Sequence, residues 1–236
     1  MRKELLVICT PEVQEIGDRT IPYMLSYAEK HGYDLVVETE KHPVVKDRHA
    51  SWSKIAYACD HMFREKDPVD VLLILDVDVL VVDGSLDINE IENYCDGSPD
   101  VMTCSHWTEG HGDVPNTGVV LLRRSMATWS MLVLMLSGIK VPQRFENVHE
   151  QGAFYYILHG LDKDLRYPLE FPYSYTSNRH VDWWCLGKGW NYAPFLDEGI
   201  ANDDDELSRC KFMHFNGLKK NKVCGEIDKA IERFGL

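Results

Sequence analysis

The chain has 236 residues, 44% of them hydrophobic and 11% aromatic, enough to bury one substantial core in a single domain. Its formal net charge of −13 repels a phosphate backbone, so nucleic acid is excluded as a general partner. The longest apolar stretches, 71–82 and 131–136, are too short to span a bilayer, and the opening MRKELLVICTPEV has neither a signal-peptide core nor a cleavage site, so the expected location is the cytoplasm.

The run ELLVIC, ended by Thr10 and Pro11, predicts a buried first strand. From Thr20 to His31 the apolar residues Ile21, Met24, Leu25 and Ala28 recur at helical spacing, with Pro22 in the first turn and Gly32 as the stop. YDLVVE predicts the second strand. Trp52, Ile55, Ala56, Cys59 and Phe63 predict a second helix over 51–65, capped by Ser51. VDVLLILDVDVLVVDG is too apolar for an edge strand and reads as a central one, covered on both faces.

This β-α-β-α-β order implies an α/β fold with a mostly parallel central sheet flanked by helices. DVMTC and NTGVVLLRR predict further strands, followed by helices over 125–137 and 149–159. Residues 161–210 are aromatic and rich in Gly and Pro, and read as loops and short strands over a site. The seven cysteines, at 9, 59, 95, 104, 185, 210 and 224, form no CxxC pair and read as buried thiols.

Asp76 and Asp78 close the central apolar run. A strand's period of two points both carboxylates to one side and Val77 to the other. Two carboxylates sharing one space repel unless a cation lies between them, and hard oxygen ligands select Mg²⁺ or Mn²⁺. The carboxyl end of a central parallel strand is also where open α/β sheets hold ligands.

LLILDVDVLV resembles the DxD motif of GT-A glycosyltransferases, whose carboxylates hold a metal on the diphosphate of a sugar nucleotide. RHASWSKI, PNTGVVLLRR and HEQGAFYYIL, in that order, resemble segments of the galactomannan galactosyltransferase and xyloglucan xylosyltransferase family. KFMHFNGLKKNK resembles the late His-x-x-Gly-x-x-Lys stretch of related retaining galactosyltransferases. The likeness spans about residues 4–160 and 211–222.

It implies a single GT-A (Rossmann-like) domain over 1–236, with a nucleotide-binding half at 1–100 and an acceptor and donor-sugar half at 101–236. It further implies metal ligation by Asp76, Asp78 and His214, and donor contacts from Thr10, Lys54, Asp76, Val77, Asp78, Gly217 and Lys220. Gln151 and Asn116 would then stand near the reacting sugar; separately, Asp113, in EGHGDVPN just before the NTG strand, could orient or deprotonate an acceptor hydroxyl. The implied reaction moves a sugar from a nucleoside diphosphate, favoured as UDP, to a hydroxyl acceptor, with retention of configuration favoured.

Each residue also has a plainer reading. His214 follows apolar residues, as a core histidine would; Lys54 suits a solvent-facing helix position; Glu150 suits a helix N-terminus, where the macrodipole favours an acid. Gln151 is the better candidate beside a sugar, because an amide hydrogen-bonds hydroxyls without trapping an oxocarbenium-like centre as an ester. The aromatics of NRHVDWWCLGKGWNY could form a sugar-stacking platform or simply pack in the core.

Two rival functions stay open. A haloacid-dehalogenase-like phosphatase also opens on hhhhDxD, but Leu80 stands where that family has Thr or Val, and the motif comes after some seventy residues rather than on the first strand. A sugar-nucleotide-binding module without turnover would use the same pocket. Oligomeric state is not legible at this level.

Overall fold

The computed structural model describes residues 1–90, 99–108, 112–138, 149–158, 173–178, 181–186, 210–216, 218 and 220–236. The first half runs β1 (Lys3–Ile8), α1 (Gln14–His31), β2 (Asp34–Glu38), α2 (Ser53–Phe63), β3 (Val71–Leu75) and β4 (Val79–Val81). The second runs β5 (Val101–Thr108), β6 (Gly112–Arg123), α3 (Met126–Leu136), α4 (His149–Leu158), β7 (Tyr173–Asn178), β8 (Val181–Leu186), β9 (Phe212–His214) and α5 (Lys220–Phe234).

Seven strands form one sheet in the order β2-β1-β3-β6-β5-β8-β7, and β4 pairs with β9 in a second, two-stranded sheet. β1 lies parallel to both β2 and β3, as the β-α-β-α-β order predicts. β6 is antiparallel to β3 and β5, while β8 returns parallel to β5.

The alternation of the strands fills both faces of this sheet. Leu6, Leu72, Ile74, Val120 and Leu122 pack under α2, α3 and α4. Leu5, Val7, Leu73, Leu75 and Leu121 pack on the other side, under Met24, Tyr27 and Ala28 of α1. A third cluster joins Val223, Ile227 and Ala230 of α5 to Leu80, Met213 and Phe215.

Three local expectations are corrected. α1 begins six residues before Thr20, at Gln14, so Pro22 lies in the helix interior and not in its first turn. Burial of Ile16, Gly17 and Thr20 outweighs the one backbone bond that the proline forgoes. α2 begins at Ser53 after a 3₁₀ turn, and the cap of that turn is His49, whose Nδ1 accepts from the Ser51 amide, rather than Ser51.

The long run 69–84 is two strands in two sheets, divided by a turn at Asp76–Asp78 in which the Val79 amide donates to the Asp76 carbonyl at 3.0 Å. Among the described residues Cys9, Cys104 and Cys210 are buried, Cys59 and Cys224 are half-buried, and all five are free thiols.

Candidate metal and donor site

The turn after β3 carries both carboxylates at the carboxyl end of the parallel strands β1 and β3. β9 brings in a third group. Its pairing with β4 sets His214 opposite Val79, and the Phe215 amide donates to the Asp78 carbonyl at 3.0 Å. His214 Nε2 consequently lies 3.3 Å from Asp78 Oδ1 and 3.9 Å from Asp76 Oδ2. One ligand atom from each of the three residues falls within 4.8 Å of the others.

The second oxygen of Asp76 is used differently. Lys54, on the first turn of α2 and only 3% exposed, donates to Asp76 Oδ1 at 2.6 Å and to the Thr117 carbonyl at 3.0 Å. It also lies 3.1 Å from Glu150 Oε1, which accepts from the Thr117 hydroxyl at the same distance. Lys54 is therefore an interior cation between two acids, not a solvent-facing residue.

The backbone of β6 makes this possible. The register with β5 jumps between Thr103, paired with Val120, and Cys104, paired with Asn116, so residues 117–119 bulge out of that ladder. The bulge turns the Thr117 carbonyl to Lys54 and the Gly118 carbonyl to the Asp76 amide, 2.9 Å away. Asn116 Oδ1 accepts from the Gly118 amide at 2.7 Å and braces the bend.

Gly118 lies directly under the His214 ring. A Cβ built there would fall inside contact distance of His214 Cε1 and Nδ1, and 2.9 Å from Asn116 Oδ1. His214 Nδ1 is buried and has no hydrogen-bond partner among the described residues, while Nε2 faces the carboxylates.

The charges are unevenly balanced. Burial pushes the Asp76 carboxyl up against the pull of Lys54 and His214. Burial also opposes ionisation of Asp78, but the charge and hydrogen bond of His214 outweigh it and hold that carboxyl below its ordinary value. Lys54 is raised despite its burial, because Asp76 and Glu150 both favour the ammonium.

Glu150 is likewise lowered, with Lys54 leading the groups that offset its burial. A depressed carboxyl contributes stability that is complete above its unfolded pKa and lost as pH falls through the folded one. Urea midpoints taken from about pH 7 down to about pH 3 should therefore fall more steeply in the wild type than in Glu150→Gln, which lacks this group.

Of the other residues expected at the site, Gln151 is half-buried beside Glu150 on the first turn of α4, and Asn116 is buried in β6. Val77 is half-buried, and its carbonyl accepts from the Thr20 hydroxyl at 2.7 Å. Thr10 is half-buried two residues past β1, at the head of a 3₁₀ turn, where its side chain makes no capping bond. The side chains of Asp113 and Lys220, and Gly217 altogether, lie outside the described residues, as do the aromatic side chains of 179–192.

Glu150, Thr117 and Gly118 are not among the site residues that the sequence points to. Thr117 and Gly118 sit inside the NTG stretch, and Glu150 directly precedes Gln151, so the signal was adjacency. The rings of His49 and His149 stack at 3.8 Å and tie the start of α4 to the turn before α2.

No protein-family model matches the chain, and no curated protein sequence does. Solved structures do. A glycosyltransferase involved in the glycosylation of the major capsid of PBCV-1 superposes with a TM-score of 0.63 at 16% identity, covering 96% of this chain and 99% of that one. The galactosyltransferase LgtC, in complex with donor and acceptor sugar analogs, gives 0.54 at 12% identity over 98% of this chain and 95% of that one. The glycosyltransferase GlyE of Streptococcus pneumoniae gives 0.51 at 15% identity over 100% of this chain and 64% of that one. The fold is the GT-A fold of glycosyltransferases. Among the described residues no helix is long and apolar enough to cross a membrane.

Proposed function

We propose that this protein is a metal-dependent glycosyltransferase that moves a sugar from a nucleoside diphosphate, favoured as UDP, to a hydroxyl acceptor. The observation that carries the reading is the convergence of Asp76, Asp78 and His214 at the carboxyl end of the parallel strands of a GT-A fold. Two carboxylates and an imidazole with few competing partners suit a hard divalent cation such as Mn²⁺ or Mg²⁺. When bound there, the cation neutralises charge developing on the diphosphate leaving group.

The protein's own groups orient that set. Lys54 fixes one oxygen of Asp76 and leaves the other turned toward His214. Gln151 is assigned to the face of the anomeric carbon, where its amide hydrogen-bonds sugar hydroxyls, and Asn116 to the donor sugar and the acceptor side. Thr10 and Val77 would line the nucleotide, and Gly217 and Lys220 would meet the diphosphate. Asp113 is the candidate to orient the acceptor hydroxyl. The GT-A fold favours sugar transfer over the phosphatase alternative, and retention of configuration rests on the family resemblance alone.

Thermal-shift titrations with UDP, GDP, TDP and CMP, each with and without Mn²⁺, test the reading. Saturation at a hundred times the dissociation constant adds roughly 2.7 kcal/mol of stability. One nucleotide should raise Tm only with Mn²⁺, and Asp78→Asn should abolish that rise. A folded wild type that responds to no nucleotide would sink the proposal, and inversion at the anomeric carbon, followed by NMR, would reverse the stereochemical assignment.

A further inference from the structure

His149 opens α4 with its backbone in the left-handed region, at a φ of +50°. Among the described residues the other non-glycine residue there is Asp67, on an exposed bend. A helix start is ordinarily held by Ser, Thr, Asp or Asn in extended backbone, and glycine takes positive φ without strain. A side chain kept in a strained conformation beside a functional site points to a use for that side chain.

Its ring is where that use shows. The imidazole lies 3.8 Å from that of His49, with 1° between the planes, and so joins α4 to the turn that leads into α2. Ser51 links the same two elements a second time: its amide and hydroxyl stand 3.3 Å and 2.8 Å from His49 Nδ1, and its side chain hydrogen-bonds the Glu150 carboxylate. Glu150 in turn meets Lys54 and Thr117, so a chain of contacts runs from the stacked pair to the ammonium that holds Asp76.

We propose that His149 is a positioning residue, whose stack on His49 sets the first turn of α4 so that Glu150 reaches Lys54 and Gln151 faces the donor sugar, and that protonation of His49 loosens this turn. The role of Gln151 rests on the glycosyltransferase reading; the stack does not.

A proton on His49 disturbs its contacts directly. Nδ1 accepts from the Ser51 amide only while it is unprotonated, and an added proton would set donor against donor. The surroundings also disfavour the charge. Partial burial leads in pushing the His49 imidazole below its ordinary value, with His149, Lys41 and Lys54 acting in the same direction and Glu150 against them. Arg48 is turned away, onto the carbonyls of Met135 and Leu136, and Asp47 is exposed. A depressed histidine contributes stability that is complete above about pH 6.5, its unfolded value, and is lost as pH falls through the folded one. Glu150, itself held low, stays ionised over that range.

Hydrogen exchange of the amides at 153–156, which bond back to the carbonyls of 149–152, reads the stack without any ligand. With intrinsic rates corrected, the wild type should be protected there at about pH 7.5 and lose protection at about pH 5. His149→Gly relieves the strain and removes the ring, so it should keep wild-type circular dichroism yet leave these amides unprotected at both pH values. His149→Phe, which keeps a ring on His49, should be protected at the higher pH. His49→Asn keeps an acceptor for the Ser51 amide but no ring, and should be unprotected at both.

Release of UDP from UDP-glucose, UDP-galactose and UDP-xylose in Mn²⁺ gives the functional readout. For the donors that turn over, kcat should fall about 10–100-fold in His149→Gly and recover in His149→Phe, while the affinity for UDP with Mn²⁺ stays unchanged. A wild type that releases UDP from none of them counts against the donor reading, and exchange still decides the stack. Wild-type protection in His149→Gly, or wild-type protection that does not change with pH, would overturn the proposal.

Discussion

Lys54→Met lowers the stability of the fold by about 3–5 kcal/mol, the usual cost of removing one partner from a buried ion pair. For a domain of this size that corresponds to a fall in Tm on the order of 10 °C. The ammonium neutralises Asp76 and Glu150 together, at 2.6 Å and 3.1 Å, with almost no access to water. Methionine keeps the volume but leaves Glu150 without its cation and Asp76 with only the more distant His214, 3.9 Å away, among the described residues. The double variant Lys54→Met, Glu150→Gln should lose less than the sum of its parts, because the second change removes one of the orphaned charges. Additive losses in chemical denaturation would mean that Lys54 acts by packing alone.

Gly118→Ala should weaken Mn²⁺ binding about 10–100-fold, the range seen when groups supporting metal ligands are altered. The added methyl would collide with His214 Cε1 and Nδ1 and press on Asn116 Oδ1, so the ring must leave its position beside the carboxylates. Overpacking of this kind costs about 1–3 kcal/mol, which the rest of the core can carry. The variant should therefore stay folded while isothermal titration, or the Mn²⁺ electron paramagnetic resonance signal, reports the lost affinity. His214→Ala is the control. Unchanged Mn²⁺ affinity in Gly118→Ala would mean that the ring position does not matter to the site.

Much of this arrangement is legible from residue pattern, and the part that is not has a common cause. The runs at 4–9 and 71–75 announce buried strands because an uninterrupted apolar sequence fits a sheet covered on both faces, and the helices between them follow from 3.6-residue spacing. Asp76 and Asp78 stand out because two acids beside such a run are chemically conspicuous, whereas His214, which reads from its neighbours as a core histidine, is pointed to by the family resemblance. The period-of-two argument for the two carboxylates, however, rests on one continuous strand, whereas a turn separates β3 from β4 and brings the acids together.

That turn depends on β9 arriving to pair with β4, which no local window contains. The slip between Thr103 and Cys104 that bulges Thr117 and Gly118 is likewise a property of two strands in register. Glu150 looks like an ordinary first-turn acid until α4 is set against Lys54 and Thr117. The proline inside α1 misplaces its start for the same reason, since burial of Ile16 and Thr20 is decided by their neighbours in space.

The pairing of β4 with β9 also fixes an order of events in the life of the chain. His214 follows Asp78 by more than half the length of the polypeptide. A ribosome releases the strands that flank Asp76 and Asp78, and the helix that carries Lys54, long before it makes β9. Until then β4 has no β9 to pair with, and the two carboxylates are without His214. The imidazole thus joins the two carboxylates last, and it arrives through the same hydrogen bonds that close the sheet.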